Sequence, residues 1–258
     1  MDDTSVAIAA AEAGAAVVRA RFGTALSRIE KSPMDFATAA DLEAEQAILD
    51  VLRAARPGDA VLGEESGLTG PAGADRTWLV DPLCGTLNFA ARTTMVAVNV
   101  ALRSGLEVVA AAAADPFAGE VFWTDGFWAG RRVGDRDEPL VPSAESLLVD
   151  VNLDPPFPSA PGFEAVRLLA DPRFTERFRP RVLSTSLAIT WVAAGRRAGY
   201  VTDGNETYSV HSAPGIAICR AAGCVVTDLR GGPLHTGAHG LIVAADAETH
   251  AALLAACN

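Results

Sequence analysis

Positive charge is scarce in this chain. Its 21 lysines and arginines face 32 aspartates and glutamates over 258 residues, a net charge of −11. Nucleic acid and anionic membrane surfaces both require a basic face, so neither is expected as a partner. An anionic substrate would have to be held by a local device, a metal ion or a helix N-terminus. Cysteine is also sparse: Cys84, Cys219, Cys224 and Cys257 form no C-x-x-C pair and no evenly spaced framework, which argues against a disulfide scaffold. Cys219 and Cys224 sit among apolar residues and read as small buried hydrophobes; Cys257 is in the tail, and Cys84 alone falls in a polar turn. No apolar run reaches membrane-spanning length and the opening MDDTS is acidic, so no membrane helix or secretory signal is expected and the cytoplasm is the default location. Internal repeats and low-complexity tracts are absent too. What is present is a hydrophobic share of 50% against 21% charged residues, the balance of a globular chain able to form one large domain or two closely packed halves.

Helical and β periodicities alternate along the chain. Ala7, Ile8, Ala11, Ala15, Val18 and Phe22 recur at three- and four-residue steps and predict a helix over 5–22, capped by Thr4 or Ser5. KSPMDFATAAD reads as a loop, leading to a second helix from Ala39 with Thr38 as N-cap, Asp41 in its first turn, and Leu42, Ile48, Leu49 and Leu52 on its buried face. VLGEESG and Trp78–Val80 predict strands, as do the apolar and alternating runs from Met95 to Trp128. The charged, Pro-bearing segment 131–146 is the natural boundary between an N-terminal half, 1–140, and a C-terminal half, 141–258. LLVDVNL and RVLST then read as strands and SLAITWVAAGRR as a helix. GYVTDGN is a strand and turn. A helix opens at His211 and stops at Gly223; two closing strands and a final helix follow.

Four separated pieces carry chemistry. Lys31, Asp35, Thr38 and Asp41 lie in KSPMDFATAAD; Glu64, Glu65 and Ser66 in GEESG; Asp81, Gly85, Thr86, Asn88 and Phe89 in DPLCGTLNF; and His211 begins HSAPGIAICRAAGCVVTDLRGG. A carboxylate ending a strand, followed by a Gly turn with outward N–H groups, suits a divalent cation with a phosphate beside it. Each residue also has a plain structural reading: Asp41 as a first-turn helix acid, Thr86 as a helix cap, Glu65 as a solvated neighbour of Glu64, and Lys31, His235, His239 and His250 as surface.

Taken together the four pieces resemble the inositol monophosphatase superfamily, which includes fructose-1,6-bisphosphatase and the nucleotide and sulfonucleotide phosphatases, from about Ala7 to Ala244. The resemblance implies a layered αβαβα sandwich, usually a homodimer, that hydrolyses small phosphomonoesters with Mg²⁺. It implies that Glu64, Asp81 and the carbonyl of Leu83 hold one metal, and that the positions of Asp81, Cys84 and His211 hold a second. Thr86 and Asp41 would orient the attacking water. The N–H groups of Cys84, Gly85 and Thr86 would face the phosphate, with Ser184 also on the substrate side.

The departures fall on the second metal. Where the family has aspartates, this chain has Cys84 and His211, with Val210 replacing a Trp beside the latter. Leu183-Ser184 stands for the usual Gly-Ser, and Ala188 for a substrate-contacting Asp. The apolar replacements hint at a less polar ligand. Mg²⁺ has little affinity for thiolate, so the set of Glu64, Asp81, Cys84 and His211 is better matched to Zn²⁺ or Mn²⁺. Three readings stay open: a phosphatase of altered metal dependence, a metal-free enzyme using a low-pKa Cys84 thiol with His211 and Asp81 for acyl transfer, thioester cleavage or cyclisation, and a catalytically inactive member.

Overall fold

The computed structural model describes residues 1–24, 28–32, 35–153, 164–204, 209–234 and 240–258. The chain opens with α1 (Asp3–Arg21), a hairpin of β1 (Arg28–Ser32) and β2 (Asp35–Thr38), and α2 (Ala39–Ala55). Asp2, not Thr4 or Ser5, caps α1 by accepting from the Ser5 N–H at 2.7 Å. The expected loop KSPMDFATAAD is largely strand, because Phe36 and Ala37 are buried and the segment 28–32 pairs back on it.

An eight-stranded sheet follows, in the order β10-β9-β8-β7-β6-β5-β3-β4. Its strands are β3 (Ala60–Gly63), β4 (Gly67–Thr69), β5 (Arg76–Cys84), β6 (Ala97–Ser104), β7 (Glu107–Asp115), β8 (Glu120–Thr124), β9 (Ala129–Val133) and β10 (Arg136–Pro139), with the short helix α3 (Thr86–Ala90) after β5. Much of the expected boundary segment 131–146 is therefore the β9–β10 hairpin at the sheet's edge. Its charges pair along that edge, Arg132 with Asp137 at 2.6 Å, and Pro139, which has no N–H to donate, ends the edge strand.

The second sheet has five strands, ordered β12-β11-β13-β15-β14: β11 (Leu148–Val151), β12 (Arg179–Val182), β13 (Gly199–Thr202), β14 (Val225–Thr227) and β15 (Leu241–Ala244). Five helices accompany it: α4 (Ala165–Ala170), α5 (Pro172–Arg177), α6 (Leu187–Ala193), α7 (Ala213–Ala221) and α8 (Ala247–Cys257). Strand alternation assigns the faces. Val98, Val100 and Leu102 of β6, with Ala110, Ala112 and Ala114 of β7, pack under α1 and α2. Ala97, Ala113 and Phe122 look the other way, onto α6, α7 and, beyond them, Tyr200 and Val243 of the smaller sheet. The outer face of that sheet is covered by α4, α5 and α8 through Leu168, Phe174 and Leu253. The layers are thus α/β/α/β/α, as the resemblance implied. Among the described residues no helix is long and apolar enough to cross a membrane.

Leu42 is 42% exposed, contrary to expectation. The first turns of α2 aim a different stripe inward, Ala40, Asp41, Ala44 and Glu45. Two carboxylates on the buried side of a helix require partners, and these lead to the site.

Candidate active site

The site forms where β5 ends. Alternation along β5 puts Trp78 and Val80 under α1 and α2, and Leu79 and Asp81 on the opposite face, toward α7. Asp81 is fully buried and sits across from Asn99 of β6, whose Nδ2 lies 3.4 Å from Asp81 Oδ2. Pro82 and Leu83 interrupt that pairing: the register slips between Asp81 and Cys84, and such a bulge re-aims the side chains beyond it. The Leu83 N–H turns back to Asp81 Oδ1 at 3.1 Å. Gly85 then takes φ +99°, where an L side chain is strained, and a Cβ there would lie 3.0 Å from the Met95 carbonyl.

Into this corner comes His211, from the turn preceding α7. Its Nδ1 lies 2.8 Å from Asp81 Oδ2. Ligand atoms of Asp81, Cys84 and His211 all fall within 4.8 Å of one another. The helix itself starts at Ala213, two residues later than expected. Burial alone would push the His211 pKa down. The Asp81 carboxylate outweighs it and lifts the value to about 12, although half of the imidazole side chain is open to solvent. Burial likewise raises Asp81, and the imidazolium beside it more than reverses this, leaving the carboxyl below its ordinary value.

The thiol moves in the unexpected direction. Burial pushes the Cys84 pKa up and the Asp81 charge pushes it further, against smaller opposing contributions from His211 and Ser186. The depressed, nucleophilic thiol foreseen for the metal-free reading is not what this environment produces, because the sulfur faces a carboxylate and packs against the apolar layer around α6 and α7.

Glu64 follows β3, its N–H held by the Val80 carbonyl at 3.0 Å. Lys31, expected at the surface, bonds Glu64 Oε1 at 3.2 Å and Glu65 Oε1 at 2.5 Å; Glu65 is correspondingly 6% exposed at its side chain rather than solvated. Glu64 Oε2 is buried and has no hydrogen-bond partner. Burial and the neighbouring Asp81 charge raise the Glu64 pKa to about 8. Lys31 and the His211 imidazolium offset part of the repulsion between Glu64 and Asp81, and Glu64 Oε2 is left open to a further cation.

Asp41 serves two structures at once. One oxygen closes the capping box of α2, accepting the Thr38 N–H at 2.8 Å; the other lies 3.0 Å from Thr86 Oγ1. Burial raises its pKa against the pull of those hydrogen bonds. Thr86 does not cap α3, since Gly85 occupies that position; its hydroxyl faces Asp41 and, at 3.2 Å, the Leu83 carbonyl.

A model of the inositol monophosphatase family matches residues 2–258. The chain belongs to that family. Among its relatives, inositol-1-monophosphatase from Caulobacter vibrioides is 32% identical over 80% of this chain and 80% of its own length. Inositol-1-monophosphatase from Mycobacterium leprae is 34% identical, covering 97% and 91%. The solved structure of extragenic suppressor protein suhB from Bartonella henselae superposes with a TM-score of 0.85 at 27% identity, over 98% of this chain and 97% of that one.

The family depends on divalent cations, and this chain's residues fit such ions unequally. The orphaned Glu64 oxygen beside Asp81, with the Leu83 carbonyl near, suits a hard cation. The second cluster offers carboxylate, sulfur and imidazole nitrogen, a softer donor set than the first.

Three residues that sequence reasoning passed over also belong here. Asn99 donates to Ser186 Oγ at 2.7 Å as well as facing Asp81, and its own Oδ1 is buried without a partner. Ser186 in turn touches Cys84. Glu45 reaches the turn after Glu64. A lone Asn in the apolar run VAVNVAL, and an acid four residues after Asp41, were the available signals. Ser184 offers its carbonyl to Asn88 Nδ2 at 2.6 Å, tying the α3 turn to the segment before α6. Of the two apolar replacements, Leu183 and Val210, that hinted at a less polar ligand, Val210 packs against the protein cluster around Leu79 and does not support it, while Leu183 is half-buried; Ala188 is fully buried in α6. His250 is half-buried, and its ring nitrogen lies 2.7 Å from Thr227 Oγ1. His235 and His239 lie outside the described residues.

Proposed function

We propose that this protein hydrolyses a small phosphomonoester with a changed cation preference: a hard-ion position at Glu64, Asp81 and the Leu83 carbonyl, and a borderline-soft position at Asp81, Cys84 and His211 that takes Zn²⁺ or Mn²⁺ in place of Mg²⁺. The observation that carries this reading is the buried Glu64 Oε2 beside Asp81, which has no hydrogen-bond partner although Lys31 takes the other Glu64 oxygen and His211 pairs with Asp81. The inositol-1-monophosphatase names of its relatives support the reaction class.

When bound, the cations supply charge neutralisation on the phosphoryl oxygens and acidify a water molecule. The protein supplies the rest. Thr86, its hydroxyl directed at Asp41 Oδ1, keeps a lone pair toward the cleft to orient the attacking water. Asp41, raised by burial, is the group placed to receive the proton relayed through Thr86. The backbone N–H groups of Cys84, Gly85 and Thr86, at the αL turn, are the donors offered to the phosphate. Asn99 and Ser186 fix the Asp81 carboxylate and the Cys84 sulfur from behind.

The test is turnover of p-nitrophenyl phosphate and an inositol phosphate by chelator-stripped protein refilled with Mg²⁺, Mn²⁺ or Zn²⁺. Chelation should abolish activity, Mn²⁺ or Zn²⁺ should restore it at lower concentration than Mg²⁺, and Cys84→Asp should shift the preference toward Mg²⁺. Activity that survives the chelator but is lost to iodoacetamide at Cys84 would overturn the proposal in favour of a thiol enzyme.

A further inference from the structure

We infer that Glu45 is a positioning residue, which holds the turn carrying Glu64 and thereby sets the cation affinity of the site without touching the cation. The inference rests on the cation site proposed above. Glu45 lies one helical turn after Asp41 on the inward stripe of α2 and is 3% exposed. Its two carboxylate oxygens are divided between successive backbone donors: Oε2 accepts from the Glu65 N–H at 2.9 Å and Oε1 from the Ser66 N–H at 2.8 Å. Among the described residues it has no ion-pair partner. The carboxylate is therefore compensated by this turn, and paired N–H groups on a carboxylate make a short, directional clasp.

The clasp works on Glu64 from one side while β5 works from the other. The Glu64 N–H is bonded to Val80, one residue before Asp81, and the next two N–H groups go to Glu45. The backbone of Glu64 is thus fixed between the strand that carries Asp81 and the helix that carries Asp41.

Gly63 supports the same conclusion independently. It does not adopt a positive φ, so its backbone does not call for glycine. A Cβ there would fall 2.7 Å from Glu45 Oε2 and 2.7 Å from Ser66 Oγ, closer than such atoms approach. The missing side chain at 63 is the space the Glu45 carboxylate occupies.

The test compares the full-length parent with Glu45→Gln and Gly63→Ala, using Mn²⁺ as the probe. The amide variant keeps one acceptor but turns an NH₂ toward the other N–H. The alanine pushes an intact carboxylate aside and serves should Glu45→Gln not fold. Titration calorimetry should show Mn²⁺ affinity falling on the order of 10-fold in both, the size expected when a group supporting a metal ligand is lost. Hydrogen exchange at the Glu65 and Ser66 amides should quicken with or without metal. Glu43→Gln, on the exposed side of α2 and paired with Arg21, should change neither. Melting temperatures that drop while Mn²⁺ affinity stays within about twofold of the parent would make Glu45 merely structural and overturn the inference alone. A parent that binds no Mn²⁺, Zn²⁺ or Mg²⁺ would remove the cation reading as well.

Discussion

Asp41 shows how a side chain with an ordinary local explanation acquires a second task. As the third residue of a capped helix it needs no function, and the sequence left that reading level with a catalytic one. Geometry separates the two oxygens, one for Thr38 and one for Thr86. Asp41→Asn should lower kcat about 10²-fold or more, as loss of a positioned proton acceptor does, and cost about 1 kcal/mol of stability through the cap. Thr38→Ala should show the stability loss alone. Equal kcat values for the two variants, measured beside their thermal melts, would leave Asp41 as a cap only. At this scale the sequence disclosed residue types and little of their contacts. Cys84 and His211 could be paired only through a family resemblance, because Asp81 and His211 are 130 positions apart. Asn99 was hidden by its apolar neighbours, and the direction of the Cys84 shift depends on a carboxylate whose orientation no spacing rule reveals.

Among the elements, β5 with its following turn bears most of the site's geometry. Pro82 and the slipped register interrupt the pairing with β6, which resumes at Cys84 and Ala97, and Gly85 then reverses the chain into α3. Gly85→Ala should cost about 1–3 kcal/mol, the usual penalty for a non-glycine residue held in a sparsely populated backbone region, read by urea unfolding. It should also weaken phosphate binding through displacement of the turn from Met95. Strong periodicity made the long helices and the sheet of β5 to β8 legible in advance. The β1–β2 and β9–β10 hairpins were not: each is short and charged, and takes its strand character from a neighbour rather than from its own alternation.

At the level of the whole molecule, the helical layer of α6 and α7 belongs to both sheets. Ala113 and Phe122 meet it from one side, Tyr200 and Val243 from the other, and Arg196 reaches back to grip Glu120 with bonds of 2.6 and 2.7 Å. We therefore expect the halves 1–140 and 141–258 to unfold as one unit. Calorimetric and van't Hoff enthalpies should agree, and two resolved transitions would contradict this. The N-terminus is fastened similarly, by Asp3 between Arg76 and Arg56 at 2.8–3.0 Å. Hydrogen bonding from Arg76, against some desolvation, holds the Asp3 pKa below its ordinary value. A depressed carboxyl contributes fully above its unfolded pKa and loses that contribution as pH falls through the folded one. Asp3→Asn should thus destabilise by about 1 kcal/mol at neutral pH, a modest figure because the pair is partly solvent-screened. The gap from the parent should close as the pH drops through and below the usual carboxylate range.

The helix α2 delivers Asp41 to the Thr86 hydroxyl and Glu45 to the turn behind Glu64, four residues apart on a rod that rises about 1.5 Å per residue. The distance between those two contacts is consequently built into a rigid strut rather than negotiated by loops. A breeder of new selectivities would do well to leave that strut untouched, together with Ser184 and Ser186, whose contacts reach Asn88, Asn99 and Cys84.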